Sequence, residues 1–175
     1  MQNRNPISYS LWLIPEPTLN KKIKLIIDTL SEKYKGPSFP PHITLLNDFK
    51  YEKLDFKEKI KNIVSQIQPF NVFFKKVNYK KDFFESLFLD IQIDESLHSA
   101  RRIANKNLKC EKKNYNPHLS LLYGHFNEIE KHKMLSLIPP LPNTLVLDRI
   151  FLAHNNEIKL KWEIIDEFNL SGKNK

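Results

Sequence analysis

Residues 41–46 read PHITLL and residues 117–122 read PHLSLL. Each phrase is a proline, a histidine, an aliphatic residue, a small hydroxyl residue and two leucines, and the two histidines stand 76 positions apart. Side chains alternate between the two faces of a strand, so His42 and Thr44 share one face while Ile43 and Leu45 share the other. His118 and Ser120 repeat the arrangement against Leu119 and Leu121. A proline just ahead of each histidine suits the first residue of a strand or an edge position, where its missing N–H costs no ladder bond. The phrase predicts two equivalent strands, each apolar behind and carrying an imidazole beside a hydroxyl in front.

On either side of these strands the chain alternates between the two periodicities. Ile7, Tyr9, Leu11 and Leu13 alternate with Ser8, Ser10 and Trp12, which predicts a strand over 7–14 with Trp12 on its polar face. Ile23, Ile26, Ile27 and Leu30 fall at helical spacing, so a helix is expected over 19–34, stopped by Gly36-Pro37. Asp55 with Glu58 reads as a capping box opening a second helix, striped by Ile60, Ile63, Val64 and Ile67 and ended by Pro69. Residues 70–79 and 83–93 are rich in phenylalanine and joined by a short polar turn, the pattern of an antiparallel hairpin. In it Phe84 and Phe88 share a face with Ser86.

A helix over 95–108 turns Leu97, Ala100, Ala104 and Leu108 inward. Another opens at Asn127 with Glu130 completing its cap, and strands at 144–153 and 159–168 close the chain. The order is strand, helix, strand, helix, hairpin, then helix, strand, helix, hairpin, with one histidine strand in each half. No linker rich in proline, glycine or serine separates the halves. The expected fold is α+β and bilobal: two pseudo-symmetric lobes of antiparallel sheet, helices on the outer faces, and a central cleft carrying both motifs, with residues 1–175 as a single domain.

Composition narrows the function. At 175 residues with 41% hydrophobic and 27% charged residues the chain is that of a globular protein. The apolar stretch ISYSLWLI is too short, and too soon followed by Pro15 and Glu16, to be a signal or a membrane span. A single cysteine, Cys110, excludes an intrachain disulfide and any multi-cysteine metal site, in keeping with a cytoplasmic protein. The net charge of +8 comes from 28 basic residues of which 24 are lysine, and lysines lie on the outer faces of expected helices, as in NKKIK and FKEKIKN. Solvation accounts for those lysines as readily as an anionic ligand does.

The two motifs together form a kit for phosphodiester chemistry. In-line hydrolysis needs one group to take a proton from the entering water and another to give one to the departing oxygen, and two imidazoles titrate in the right range. The hydroxyls of Thr44 and Ser120 can donate to the non-bridging oxygens, where charge grows in the transition state. There is no HExxH pair, no Gly-rich phosphate loop and no carboxylate cluster beside either histidine, so no metal and no cofactor is expected. Of the other histidines, His98 and His132 fall on helices and His125 and His154 lack a hydroxyl two residues on, and none receives a role. Arg101-Arg102 is read as a solvated helix face, with a second-phosphate contact as the alternative.

The paired His-x-Ser/Thr motifs resemble those of the 2H phosphoesterase superfamily, and the segments YSLWLIPE, KGPSFPPHITL, FFESLFLDIQ, NPHLSLLYG and KWE are similar, in order, to its cyclic phosphodiesterase branch known from plants and yeast. The resemblance implies metal-independent opening of cyclic phosphates, nucleoside 2′,3′-cyclic phosphate or ADP-ribose 1″,2″-cyclic phosphate, to a monoester. It implies His42 and His118 as the catalytic pair, Thr44 and Ser120 as phosphate binders, and Tyr123 and Trp12 as substrate contacts. By analogy His118 is the base and His42 the acid. The expected partner is a small cyclic nucleotide or cyclic phosphate, with RNA ends as a further candidate, no membrane, and a monomeric chain. The alternatives are another 2H activity, on 2′-5′ linkages, RNA 3′ ends or cyclic nucleotide signals, and a module that binds such ligands without turnover. Plant members carry several cysteines, so redox control through disulfides is not expected in this chain.

Overall fold

The computed structural model describes residues 7–49, 53–110, 115–156 and 158–172. Its elements run β1 (Ile7–Pro15), α1 (Pro17–Tyr34), β2 (Ile43–Phe49), α2 (Lys53–Val64), β3 (Phe70–Asn78), β4 (Leu87–Ile91), α3 (Glu95–Leu108), β5 (His118–Leu122), α4 (Glu128–Leu135), β6 (Thr144–Asn156) and β7 (Lys161–Asn169). The strands form one antiparallel sheet in the order β1-β2-β5-β4-β3-β6-β7, with β1 also paired to β6. Leu147 of β6 stands opposite Pro15 on one edge and opposite Phe70 on the other. β6 thus carries β1 along one edge and β3 followed by β7 along the other, and the sheet curls back on itself.

The α+β architecture is the expected one, with the two lobes sharing a continuous sheet. They meet at β2 and β5 through the pair Ile43–Leu119. Both of these residues are fully buried in the main core, among Leu11, Leu13, Ile23, Ile27, Leu97 and Ala104. α1 packs on β1 and β5, and α3 on β2 and β3, so a helix from each half lies behind the motif strand of the other half. β1 is apolar behind and polar in front as expected, yet Ser8, Ser10 and Trp12 are nearly as buried as Leu11 and Leu13. Their face lines a recess.

Several boundaries differ from the expectation for local reasons. α1 begins at Pro17 because proline is well suited to the first helical position, and the Glu16 carboxylate caps it by accepting from the N–H groups of Thr18 and Leu19. α2 begins at Lys53, so Asp55 lies inside the helix and is not its cap; its side chain is outside the described residues. β4 begins at Leu87, and Phe83 and Phe84 belong to the loop joining it to β3. The α3 span and the Asn127–Glu130 capping box of α4 agree with the sequence, and Asp94 caps α3. α1 ends at Lys35 in the left-handed conformation, and Gly36 then passes so close to β5 that a Cβ there would lie 2.7 Å from the Tyr123 carbonyl oxygen.

Candidate active site

The Ile43–Leu119 pair fixes how the two motifs face each other. In that antiparallel register His42 is opposed to Ser120 and Thr44 to His118, all four on the face that Ile43 and Leu119 turn away from. Opposed residues in such a pair have Cβ atoms about 5 Å apart and diagonal ones about 7–8 Å. The two histidines are the diagonal pair, with room for a tetrahedral phosphorus centre between them. A cleft of about 420 Å³ opens at this point, and His42, Thr44, His118, Ser120, Trp12 and Tyr123 all line it.

The imidazoles are held alike. Nδ1 of His42 lies 2.7 Å from the Pro40 carbonyl oxygen, and Nδ1 of His118 lies 2.9 Å from that of Asn116. A carbonyl only accepts, so each Nδ1 carries the hydrogen and each Nε2 is left for the cleft. Their surroundings differ. His42 is buried, stacked on the Trp12 indole at 3.7 Å between ring centres, with the Phe39 ring edge-on. Burial, and next the proximity of His118, push its pKa down to about 4, against the opposing pull of the Pro40 carbonyl. His118 is only half-buried, with Phe88 edge-on at 5.5 Å.

The hydroxyls differ too. Ser120 Oγ donates to the Phe84 carbonyl at 2.9 Å, so turning its hydrogen toward a phosphate means exchanging that bond. Thr44 sits on the cleft wall with its backbone braced from behind: Tyr115 Oη donates to the Thr44 carbonyl at 3.2 Å and Arg101 Nη1 to the Leu45 carbonyl at 2.5 Å. The Arg101 guanidinium lies 4.0 Å from the centre of the Tyr115 ring, and burial raises the Tyr115 phenol above its ordinary pKa. Arg101 corrects the expectation of a solvated pair. It is 8% exposed because position 101 continues the inward stripe 97, 100, 104 of α3, whereas Arg102 is exposed.

The six expected site residues thus meet in one cleft. Trp12 is 2% exposed, stacked on His42 and clustered with Ile14 and Ala153; Tyr123 is 5% exposed, stacked on Phe39 at 3.8 Å. Phe84 lines the cleft and Phe88 packs behind it. Sequence reasoning missed Tyr115, Asn116, Ser10, Asn155 and Trp162, which also line it. Ser10 had a signal, as it shares the polar face of β1 with Trp12. Trp162 had the KWE segment, and Asn155 had no signal, because long-range pairing of β6 with β1 and β7 brings both in. His98, His125 and His132 are exposed and His154 is turned toward Tyr9 and Glu163, outside the cleft. Among the described residues no helix is long and apolar enough to cross a membrane.

A family model described as cyclic phosphodiesterase-like protein matches residues 7–171. The chain belongs to that family, within the 2H phosphoesterase superfamily that its motifs resemble, and the enzyme class expected from the sequence, cyclic phosphodiesterase, stands with it. The cyclic phosphodiesterase of Arabidopsis thaliana is 26% identical over 124 residues, which are 70% of this chain and 68% of that one. Among solved structures, E. coli LigT complexed with 3′-AMP superposes with a TM-score of 0.59 at 11% identity, covering 95% of this chain and 99% of that one. TT0787 of Thermus thermophilus does so with a TM-score of 0.56 at 12% identity, covering 95% and 100%. At that identity the two structures speak for the fold alone.

Proposed function

We propose that this member of the family hydrolyses cyclic phosphodiesters, nucleoside 2′,3′-cyclic phosphate or ADP-ribose 1″,2″-cyclic phosphate, to a phosphomonoester, using His42 and His118 as acid and base in one bilobal domain spanning residues 1–175. The observation that carries the reading is the Ile43–Leu119 register, which turns both imidazoles and both hydroxyls to one face over a cleft. The Arabidopsis relative bears the name cyclic phosphodiesterase, and LigT has been crystallised with 3′-AMP, NADP+ and ATP, which supports a small nucleotide ligand.

The unequal burial of the rings supports His118 as the base and His42 as the acid. The water that attacks must come from solvent, and His118 is the ring that solvent reaches. His42 sits on the inner wall and its burial keeps it neutral at pH 7 until a ligand binds. A phosphodiester between the rings brings a full negative charge, which favours the imidazolium form of His42, and the Trp12 face against the ring favours it further. Substrate binding is then coupled to proton uptake by His42, which hands that proton to the leaving alkoxide while Nε2 of His118 takes one from water. Thr44 and Ser120 donate to the non-bridging oxygens. No step calls on a metal.

The test is turnover of a panel containing the four nucleoside 2′,3′-cyclic phosphates, ADP-ribose 1″,2″-cyclic phosphate and 2′-5′ oligonucleotides, with and without a chelator, alongside His42→Ala and His118→Ala. The expected result is cyclic phosphate opening that ignores the chelator and is lost in each variant. Activity on oligonucleotides alone would overturn the substrate class, and loss of activity to the chelator would overturn the metal-free mechanism. Calorimetry of 2′-AMP binding in buffers of different ionisation enthalpy reads the proton uptake; none at neutral pH would remove the acid role from His42.

A further inference from the structure

One polar side chain in the cleft has a hydrogen-bonding group that the protein does not satisfy. Asn155 is 8% exposed; its Nδ2 donates to Ser10 Oγ, and its Oδ1 is buried with no partner. An unpaired buried acceptor is costly enough that nearly all in folded proteins find a donor. Asn155 and Ser10 both line the cleft. The β6–β7 ladder sets Trp162 directly opposite Asn155, so the half-buried indole shares the amide's face and also lines the cleft. Asn155 is paired with Ser8 and its amide reaches Ser10, two residues along β1 from Trp12, whose ring backs His42, so the amide is displaced from the phosphate position by at least about 7 Å, two rises of a strand. A bare phosphate does not span that distance, whereas a nucleoside attached to it does.

We infer that Asn155, held by Ser10 and flanked by Trp162, is a nucleobase subsite: Oδ1 accepts a hydrogen bond from an N–H of the base while the indole offers it an aromatic surface. A flat ring with an N–H edge fits both features, since every base has a face for an aromatic side chain and adenine, cytosine, guanine and uracil each carry an N–H donor. A site built to receive a donor penalises a ligand that lacks one, because the buried acceptor then stays unpaired. The inference rests on the proposed reaction for the placement of the phosphate.

The experiment compares adenosine 2′,3′-cyclic phosphate with purine riboside 2′,3′-cyclic phosphate, which has the same ring without an N–H donor, in the native protein, Asn155→Ala and Asn155→Asp. The native protein should favour the adenosine compound through KM, by about tenfold for one buried hydrogen bond, with kcat little changed. Asn155→Ala should erase that ratio, and Asn155→Asp, which keeps the acceptor, should retain it even if its charge weakens both ligands. Asn155→Leu replaces the alanine variant if the latter does not fold. An unchanged ratio in Asn155→Ala, a lost one in Asn155→Asp, or an equal loss of affinity for inorganic phosphate and for 2′-AMP overturns the inference. Calorimetric binding of 2′-AMP and of purine riboside 2′-phosphate reads the same ratio without turnover. A protein that binds with the expected discrimination and cleaves neither compound would refute the proposed reaction and leave the subsite standing.

Discussion

Burial of His42 makes stability depend on pH in a way that one substitution isolates. An unfolded chain holds this imidazole at its ordinary pKa of 6.5, and the folded protein at about 4. Between those values the unfolded state binds the extra proton, so stability rises with pH; it is fully present above 6.5 and is lost as pH falls to about 4. The difference in proton affinity corresponds to about 3 kcal/mol, a large share of a typical domain's total. Glu16, Asp28 and Asp166 also have lowered pKa values and lose their contributions at lower pH, but they do so equally in a His42→Gln variant. Urea unfolding of the two proteins across the window should give a native-minus-variant difference that shrinks by about 1.4 kcal/mol per pH unit on acidification. The His42 ring proton, followed by NMR, should titrate near 4 in the native protein and at higher pH in His118→Ala, because His118 contributes to the depression. A flat difference, or a His42 titration at its ordinary pKa, would refute the claim that this ring is buried and faces its twin.

Other substitutions separate chemistry from support. Thr44→Val keeps the shape and deletes the hydroxyl proposed to donate to phosphate, so kcat should fall by about 10- to 1000-fold with the melting temperature unmoved, as read by steady-state kinetics and calorimetry. Ser120→Ala also forfeits the bond to the Phe84 carbonyl, so it should lower both kcat and stability, the latter by about 1 kcal/mol in urea unfolding. Arg101→Lys loses the planar stack on Tyr115 along with the geometry of the bond to Leu45, and should cost about 1–3 kcal/mol by the same measure. Gly36→Ala drives a methyl against the Tyr123 carbonyl, a backbone atom that cannot step aside, and should destabilise by about 1–3 kcal/mol while lowering kcat/KM through a displaced Tyr123.

Much of the cleft's geometry was legible because a strand's period of two is strict. Once PHITLL and PHLSLL are strands, His42 with Thr44 and His118 with Ser120 must share faces, and the structure lines one cleft with all four. The helical stripes were legible for the same reason. What local pattern could not supply was pairing between distant strands: β6 meeting β1 places Asn155 beside Ser10, and β7 meeting β6 places Trp162 beside Asn155. Arg101 was misread by composition, since an arginine pair on a helix is usually solvated, though the spacing 97, 100, 104 already pointed position 101 inward. Phe84 was misplaced onto a strand because aromatic density resembles β-propensity; in the loop its carbonyl is free to take the Ser120 hydroxyl.

The two motif strands also carry a difference that their matching sequences alone would not produce. Two identical half-sites with their Nδ1 atoms on carbonyls would have equal proton affinities, and neither imidazole would be marked as donor or acceptor. The symmetry is broken behind the rings. Trp12 closes over His42 from β1, while His118 meets the edge of Phe88 and remains partly open to solvent. One ring therefore resists protonation, which in the proposed reaction an arriving anion overcomes, and the other stays in contact with water. If Trp12 is what makes the halves unequal, Trp12→Leu should raise the His42 pKa by letting water in and should lessen the proton uptake that accompanies 2′-AMP binding, with both motifs intact. An unaltered His42 titration in that variant would place the cause of the asymmetry elsewhere, in the wall formed by Phe39.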